Sequence, residues 1–263
     1  MSAVLQEPDG GALVVEQLSL SFGGIHVLQE IGMTLRAGQI TGLIGPNGAG
    51  KTSFFNCLTG LYAPQVGAIR FGGRRLERVP PAGRAALGFS RSFQHVALCP
   101  ELSIAENVMI GLHRLSGAGW LDAILPLARG RAERRAHRSQ AVAALHRLGI
   151  ADVADAMPAQ LPPGVLRLAE IARATVGAPR VLLLDEPAAG LNSVETHDLA
   201  QALKTLRSPQ LVLVVVEHDM DLIMEVCDQI HVLNVGRVLA CGTPAQVRAN
   251  PEVVRVYLGD DDV

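Results

Sequence analysis

One eight-residue segment, GPNGAGKT from Gly45 to Thr52, constrains the fold of this chain more than any other part of its sequence. It has the form G-x-x-x-x-G-K-[ST], and it stands between an apolar run, Gln39 to Ile44, and a helical pattern that extends to about Leu58. Glycines allow the backbone to curl so that successive N–H groups point inward, and the helix that follows adds the positive end of its dipole. The segment therefore predicts a phosphate-binding loop between a strand and a helix.

The residue types in this loop also predict what it binds. Lys51 is expected to lie between the β- and γ-phosphates of a nucleotide, and the Thr52 hydroxyl is expected to coordinate Mg²⁺. ATP and Mg²⁺ are therefore the expected cofactors. The expected nucleotide contacts are Gly45, Pro46, Asn47, Gly48, Ala49, Gly50, Lys51, Thr52 and Ser53.

A second apolar run, Val181 to Leu184, is followed directly by Asp185 and Glu186. In open α/β sheets, ligands bind at the carboxyl ends of the strands, where these two carboxylates would lie. Asp185 is expected to hold Mg²⁺ through water, and Glu186 to orient and deprotonate the attacking water. An acidic pair after an apolar strand is weak evidence alone, but a phosphate-binding loop upstream strengthens it.

The remaining patterns predict an α/β fold. The run LVLVVVEHD begins at Leu211, and a helical pattern from Ser193 to Leu206 separates it from the strand that ends at the acidic pair, which gives strand–helix–strand order. Near the N-terminus, Leu13 to Leu20 and His26 to Leu35 look like alternating strands joined by the Gly23-Gly24 turn, so an antiparallel sheet fits there. Continuous apolar runs favour strands buried on both faces.

Residues from about 100 to 161 are rich in Ala, Leu and Arg and carry no buried-strand pattern, which predicts a helical insertion. The predicted fold is thus a P-loop NTPase core of the RecA-like type with an N-terminal antiparallel β subdomain and an inserted α-helical subdomain. The expected bounds are one domain over residues 13–263, a nucleotide-binding core over 13–96 and 164–263, a helical insertion over about 97–163, and a tail over 1–12.

Composition excludes several classes of protein. With 23 basic against 25 acidic residues and only 3% aromatic residues, the chain lacks the features of a dedicated nucleic-acid binder, and no nucleic-acid partner is expected. The five arginines between Arg129 and Arg138 are interpreted as a solvated helix face. Although 49% of the residues are hydrophobic, the apolar runs fall far short of the roughly 20 residues of a membrane-spanning helix. The N-terminal residues lack the pattern of a signal peptide, so a cytoplasmic location is expected.

Four segments in order, GPNGAGKTS, SRSFQH, LLLDEPAAGLN and VVVEHDM, resemble the motifs of the ATP-binding subunits of ABC transporters, and the resemblance extends from Leu18 to Leu258. It implies that Gln94 senses Mg²⁺ and contacts a membrane subunit, and that His218 touches the γ-phosphate. It further implies that adenine stacks on Phe22. Catalysis would then rest on Glu186, His218, Lys51 and Gln94, and the metal ligands would be Thr52, Gln94 and Asp185. Taken singly, Gln94, His218 and Phe22 would each have an ordinary structural interpretation.

Three segments are similar to the branch of this family that serves importers of branched-chain amino acids and related hydrophobic amino acids or urea: GPNGAGKTSFFNCLTGLYAPQVGAIRF, EPAAGLN and the C-terminal VCDQIHVLNVGRVLACGTPAQVRANPEVVRVYLG. This resemblance implies a peripheral subunit on the cytoplasmic face of the inner membrane. Its partners would be a second ATP-binding subunit, met by the loop that contains Asn192, and two integral membrane permease subunits. A separate binding protein would select the solute.

The chain departs from the family at one loop, where LPPGV replaces a signature of the L-S-G-G-Q type. In the family this loop grips the γ-phosphate held by the other ATPase subunit. Pro162 has no hydroxyl, and neither Pro162 nor Pro163 has an N–H group. Only the Gly164 N–H and the helix start remain as donors in trans, so we expect a heterodimer in which one composite site hydrolyses ATP poorly.

Two alternatives stay open from the sequence. The first is a soluble ABC-type ATPase that acts on nucleic acid or the ribosome, although the chain has one cassette and no sustained heptad pattern. The second is a nucleotide-binding subunit with reduced hydrolysis, which the altered loop favours and which the intact Asp185, Glu186 and His218 oppose.

Overall fold

The computed structural model describes residues 11–92, 97–112 and 128–258. Two compact units divide the chain. The first is drawn from Met1–Arg91, Arg180–Pro187 and Arg207–Val263, and the second from Ser92–Pro179 and Ala188–Leu206. The predicted bounds of the helical insertion, about 97–163, remain a prediction.

The described residues form strands and helices with the following bounds. The strands are β1 Leu13–Phe22, β2 Ile25–Leu35, β3 Ile40–Ile44, β4 Val66–Phe71, β5 Arg74–Arg75, β6 Phe89–Arg91, β7 Val181–Asp185, β8 Val212–Val216, β9 Gln229–Asn234 and β10 Arg237–Gly242. The helices are α1 Lys51–Thr59, α2 Pro81–Ala86, α3 Ile104–Ile110, α4 Ala128–Arg147, α5 Pro163–Thr175, α6 Ser193–Thr205, α7 Met220–Val226, α8 Pro244–Arg248 and α9 Pro251–Leu258. Within the described ranges, none of these helices is both long and apolar enough to cross a membrane.

The first unit contains an antiparallel sheet of strand order β2-β1-β4-β5, which confirms the hairpin predicted around Gly23 and Gly24. Buried and exposed residues alternate along β2, as expected for a sheet with one face toward the core. In β1 the alternation shifts between Val15 and Leu18, where Gln17 has a positive φ of 48° and the pairing register changes. The shift is a bulge that returns Leu18 to the buried face.

The second sheet of this unit is mostly parallel and has the order β10-β9-β3-β8-β7-β6. Strands β3, β7 and β8 are buried along their whole length, as their continuous apolar runs predict. Leu43 on β3 pairs with Val216 on β8, and Val216 pairs in turn with Asp185 on β7. Because neighbouring strands lie about 4.8 Å apart, the loop after β3 and the acidic pair after β7 begin about 10 Å apart at one edge of the sheet.

Helix α1 packs into the core of the first unit through Phe54 and Phe55, which are fully buried. The carboxyl end of this helix is held by a buried arginine, Arg84 on α2. Its Nη1 donates to the carbonyl oxygens of Cys57 and Leu58, at 2.5 and 2.7 Å. A cation is favourable at this end of a helix, where the last carbonyls lack intrahelical partners, so Arg84 stabilises the helix that begins at the phosphate-binding loop.

The second unit is helical in its described part. Helix α5 contacts α3, α4 and α6, and every residue from 167 to 172 is buried, Leu168, Ile171 and Ala172 among them. Arg167 and Glu170 form an ion pair of 2.8 Å on the same helix, and both side chains are almost completely buried. Helix α3 begins with a capping box formed by Ser103.

His231 on β9 gives the first unit a predicted pH dependence. Its side chain is 4% exposed, and burial lowers its pKa from the ordinary 6.5 to about 4, so the folded chain holds a neutral imidazole. Nδ1 has no hydrogen-bond partner among the described residues. Between these two pH values the unfolded chain binds a proton that the folded chain does not, so stability falls as the pH is lowered from about 6.5 to about 4.

We expect His231→Leu to remove part of this acid sensitivity, which is on the order of 3 kcal/mol for a shift of this size. Thermal unfolding measured at several pH values between 7 and 4 should show a smaller loss of Tm for the variant than for the unaltered chain. His197→Leu, at an exposed position on α6, is the control and should leave the pH dependence unchanged. An equal loss of Tm in the His231 variant would contradict the assignment.

Candidate nucleotide-binding site

The loop from Gly45 to Gly50 leads from β3 into α1, and its glycines have close contacts or backbone conformations that disfavour other residues. A Cβ on Gly45 would lie 2.2 Å from the carbonyl oxygen of Leu233, and φ is +102° at Gly50, the N-cap of α1. At Gly48 φ is +79°, and the space beside it is open. The loop is therefore held in a curled form, and the N–H groups of the first turn of α1 have no acceptor within the helix.

Lys51 is the first residue of α1 and is 8% exposed. Its Nζ donates to the carbonyl oxygens of Gly45 and Pro46, at 2.5 and 3.1 Å, so the ammonium group is folded back onto the loop. Burial lowers the pKa of Lys51, and the charges of Glu186 and Asp185 oppose this effect. The described geometry thus places one buried cation within the field of both predicted carboxylates.

Asp185 ends β7 and is 6% exposed, as predicted for a carboxylate delivered by a buried strand. One of its oxygens, Oδ2, accepts a hydrogen bond of 2.6 Å from Nη2 of Arg91, the last residue of β6. Nη1 of the same arginine donates to Oδ1 of Asn56 on α1, at 2.7 Å. Sequence reasoning missed these contacts. Arg91 stands in the SRSFQH segment, but the segment does not show its partner, and both Arg91 and Asn56 lie far from Asp185 along the chain.

Glu186 follows the strand in an unusual backbone conformation. Its φ is +47°, in the left-handed region that residues other than glycine seldom adopt. The N–H of Glu186 donates to the carbonyl oxygen of Val216 on β8 at 2.9 Å, which anchors the turn to the sheet. Conformations of this kind collect at functional sites, where the surrounding structure holds them.

His218 and Phe22 also belong to the first unit. His218 follows β8, which lies between β3 and β7 in the sheet, so its backbone lies between the phosphate-binding loop and the acidic pair. Its side chain is 64% exposed, and Nδ1 lies 3.9 Å from an oxygen of the buried Glu217. Phe22 is 47% exposed at the end of β1 and meets Tyr62 edge to face, with ring centroids 5.1 Å apart. Both side chains are therefore available to a ligand.

The residues predicted to act in trans lie in the second unit, and Gln94 lies outside the described residues. Pro162 is the N-cap of α5, and the N–H of Gly164 donates to Oε1 of Glu195 at 2.9 Å. The other oxygen of Glu195 accepts from the N–H of Asn192, the N-cap of α6, at 3.1 Å. One carboxylate thus caps the first turns of two helices. The N-x-x-E pattern predicts the bond within α6, but no local pattern predicts the bond to Gly164.

The side chains present fit Mg²⁺ bound together with a nucleotide. Thr52 offers an exposed hydroxyl in the first turn of α1, and Asp185 offers a carboxylate. Within the described part of the chain, no three or more His, Cys, Asp or Glu side chains lie close enough together to hold a metal ion. Mg²⁺ usually takes only one or two carboxylates from the protein and completes its shell with phosphate oxygens and water, so a sparse donor set suits it.

The glycine-rich loop lies between the central parallel strand β3 and a helix, and the acidic pair follows β7, which is two strands away from β3 in the sheet. This arrangement defines a P-loop nucleoside triphosphatase. The model of the ABC transporter family matches residues 28–189, and a second model, described as branched-chain amino acid ATP-binding cassette transporter, matches residues 237–263. The chain belongs to the ABC transporter family, and it is an ATP-binding, ATP-hydrolysing cassette. The predicted family and fold class are confirmed.

Curated relatives match the chain over nearly its whole length. It is 41% identical to the high-affinity branched-chain amino acid transport ATP-binding protein LivG of Salmonella typhimurium, over 94% of this chain and 98% of that protein. It is 40% identical to BraF of Pseudomonas aeruginosa, which carries the same description, over the same shares of the two chains. Among solved structures, the ADP conformation of an ATP-binding cassette of an ABC transporter has a TM-score of 0.82 and 27% identity, and the match covers 95% of this chain and 99% of the other.

Proposed function

We propose that this chain binds Mg²⁺ and ATP at the site described above and hydrolyses ATP to power a membrane importer of branched-chain or other hydrophobic amino acids, or of related small solutes. The observation that carries the proposal is the 41% identity to a branched-chain amino acid transport protein over 94% of the chain. The match of residues 237–263 to a family of the same description supports it at the C-terminus.

Each predicted site residue has a role in this proposal. The loop N–H groups and Lys51 bind the phosphates, and Phe22 stacks on adenine. Thr52 and Asp185 would hold Mg²⁺, which would neutralise part of the charge on the phosphate oxygens. Glu186 accepts a proton from the attacking water, and His218 with Lys51 stabilises the charge that develops on the γ-phosphate. Gln94 would add a metal contact and pass the state of the site to a membrane subunit.

The assembly we propose contains a second ATP-binding subunit, two integral permease subunits and, indirectly, a solute-binding protein. The chain would lie at the cytoplasmic face of the inner membrane as a peripheral subunit. The names of the relatives support an association with a transport system. We favour a heterodimer of ATPase subunits over a homodimer. The LPPGV loop lacks hydrogen-bond donors, whereas a different ATPase subunit could supply donors from its own signature loop to the ATP bound by this chain.

The bond from Gly164 to Glu195 supports the idea of unequal ATP sites. Pro162 and Pro163 have no N–H groups, and the Gly164 N–H already has a carboxylate acceptor at 2.9 Å. A γ-phosphate that approached from a second subunit would meet the negative charge of Glu195 rather than free donors. We therefore propose that the composite site completed by this loop hydrolyses ATP slowly, which is also what the alternative of a subunit with reduced hydrolysis requires.

Replacing Pro162 by Ser and Pro163 by Gly should raise the ATPase turnover of the assembled transporter, because the change adds a hydroxyl and two N–H donors. We expect the hydrolysis rate at the composite site that this loop completes to rise by about tenfold or more, because one hydrogen bond to a charged group is worth about 1.5 kcal/mol or more. Turnover is measured on the purified complex in detergent or lipid.

A matched control exists in α2, where Pro80 and Pro81 are likewise the N-cap and the first helical residue. The same double change at Pro80 and Pro81 should not raise turnover. Unchanged turnover after restoration of Ser and Gly at the LPPGV loop would remove the explanation.

Co-purification tests the transport function directly. The chain carries an affinity tag in the cells that make it, the membranes are solubilised in mild detergent, and the bound proteins are identified by mass spectrometry. Two integral membrane subunits and a second ATPase subunit are the expected partners. Recovery of ribosomes or DNA without membrane proteins would instead support the non-transport ATPase.

A further inference from the structure

We propose that Arg91 is a permanent counter-ion of Asp185 and that its guanidinium group competes with Mg²⁺ for the Asp185 carboxylate. This competition sets how strongly nucleotide binding depends on the metal. The inference rests on the proposed Mg²⁺ site. Arg91 would act through Asp185 and is therefore a positioning residue.

The charge pair is short and shielded from water. Nη2 of Arg91 lies 2.6 Å from Oδ2 of Asp185, and the two side chains are only 11% and 9% exposed. Strands β6 and β7 are parallel neighbours, with Arg91 paired to Leu183, two residues before Asp185. The sheet register thus brings the guanidinium to the carboxylate at the strand ends. Because water screens such a pair only weakly, its electrostatic effect on a nearby ion is larger than that of a surface pair.

The guanidinium is also fixed from the side of the phosphate-binding helix. Nη1 donates to Oδ1 of Asn56 at 2.7 Å, and the guanidinium carbon lies 5.6 Å from the centroid of the Phe55 ring. Both residues belong to α1, which begins with Lys51 and Thr52. A planar group held at both ends keeps its position without losing much further entropy, so the carboxylate has a cation in place before any ligand arrives.

One carboxylate attracts each of two neighbouring cations less strongly than it would attract either alone, because the cations repel each other. Asp185 already forms an ion pair with Arg91, and its charge also attracts the ammonium group of Lys51. A Mg²⁺ ion at Asp185 would gain less from a neutralised carboxylate and would be repelled by the nearby guanidinium. Removal of the guanidinium charge should therefore strengthen Mg²⁺ at this position, whereas a purely structural role for Arg91 would weaken nucleotide binding with and without the metal alike.

The test measures the Kd of the full-length chain for a fluorescent ATP analogue, once in EDTA and once in excess Mg²⁺. The quantity compared is the Kd in EDTA divided by the Kd in Mg²⁺, which increases when Mg²⁺ strengthens nucleotide binding more. Arg91→Met should raise this ratio about fivefold or more, the lower end of typical coupling between two sites. Arg91→Gln removes the same charge with a smaller change of shape and should raise the ratio too, so it carries the prediction if the Met variant does not fold.

Two controls separate charge from structure. Arg91→Lys keeps a cation beside Asp185, and the ratio should stay near that of the unaltered chain. Arg70→Met removes an arginine of an exposed ion pair with Glu16, at 3.3 Å, and should also leave the ratio unchanged.

The outcomes distinguish this inference from the proposed function. A ratio that stays the same or falls in the neutral variants overturns the role of Arg91, and so does a Lys variant that behaves like the Met variant. If the unaltered chain shows no Mg²⁺ dependence at all, the proposed metal site fails and this inference fails with it.

Discussion

A Glu186→Gln chain is expected to bind ATP with unchanged affinity but to hydrolyse it more slowly by a factor of about 10² to 10⁴, the usual contribution of a general base. The amide of Gln has nearly the shape of the carboxylate but accepts a proton far less readily. The backbone at position 186 should keep its left-handed conformation, because the N–H bond to Val216 does not involve the side chain. The loss should therefore fall on the chemical step alone.

Hydrolysis is measured as phosphate release by the assembled transporter, and binding as the Kd of the fluorescent analogue. A change of Glu30 to Gln, at an exposed position on β2, serves as the control and should alter neither quantity. Turnover that persists in the Glu186 variant would remove this residue as the base and would leave the water to be activated by another group.

Lys51→Ala should abolish detectable nucleotide binding, with a Kd raised about a hundredfold or more. Hydrogen bonds from a charged donor are each worth roughly 1.5–3 kcal/mol, and Lys51 is positioned to make them to more than one phosphate oxygen. In the described structure its ammonium group is buried and bonded to the Gly45 and Pro46 carbonyls. A cation so placed has only to exchange these carbonyl oxygens for phosphate oxygens, so its contribution comes without large rearrangement.

The chain contains one other lysine, Lys204 in the last turn of α6, and Lys204→Ala is therefore a matched control. It should bind nucleotide as the unaltered chain does. Retained binding in the Lys51 variant would show that the loop amides suffice. The two variants also separate two functions, because loss at Lys51 appears in Kd and loss at Glu186 in kcat.

The predictions that were confirmed came from residues close together in the sequence. The glycine loop, the apolar run before Asp185 and the hairpin around Gly23 and Gly24 each depend on contiguous residues whose conformations are set by local sterics and by burial. Glycine at position 45 is required because a Cβ would overlap a backbone carbonyl, and a motif records that requirement directly. The roles assigned to Phe22, Glu186 and His218 stay predictions.

The contacts that sequence reasoning missed join residues far apart along the chain. Arg91 lies 35 positions from Asn56 and 94 from Asp185, and Gly164 lies 31 from Glu195. An arginine or a glutamate in isolation reads as a surface charge, since nothing in its neighbours along the chain reveals a partner. The positive φ of Glu186 is likewise invisible in the sequence, and the bond that anchors this residue runs to Val216, on a strand far along the chain.

In the amino-acid sequence, the loop, the acidic pair and their order along the chain were enough to predict a parallel sheet with a nucleotide site at its edge, and the resemblance of four segments pointed to an ATP-binding cassette. Folding in three dimensions was needed to give Asp185 a counter-ion and the Gly164 N–H an acceptor. The physical reason is that charges and hydrogen bonds act over a few ångströms of space, whatever the number of residues between them. The proposals on Mg²⁺ binding and on the LPPGV loop therefore rest on contacts that only the fold brings together.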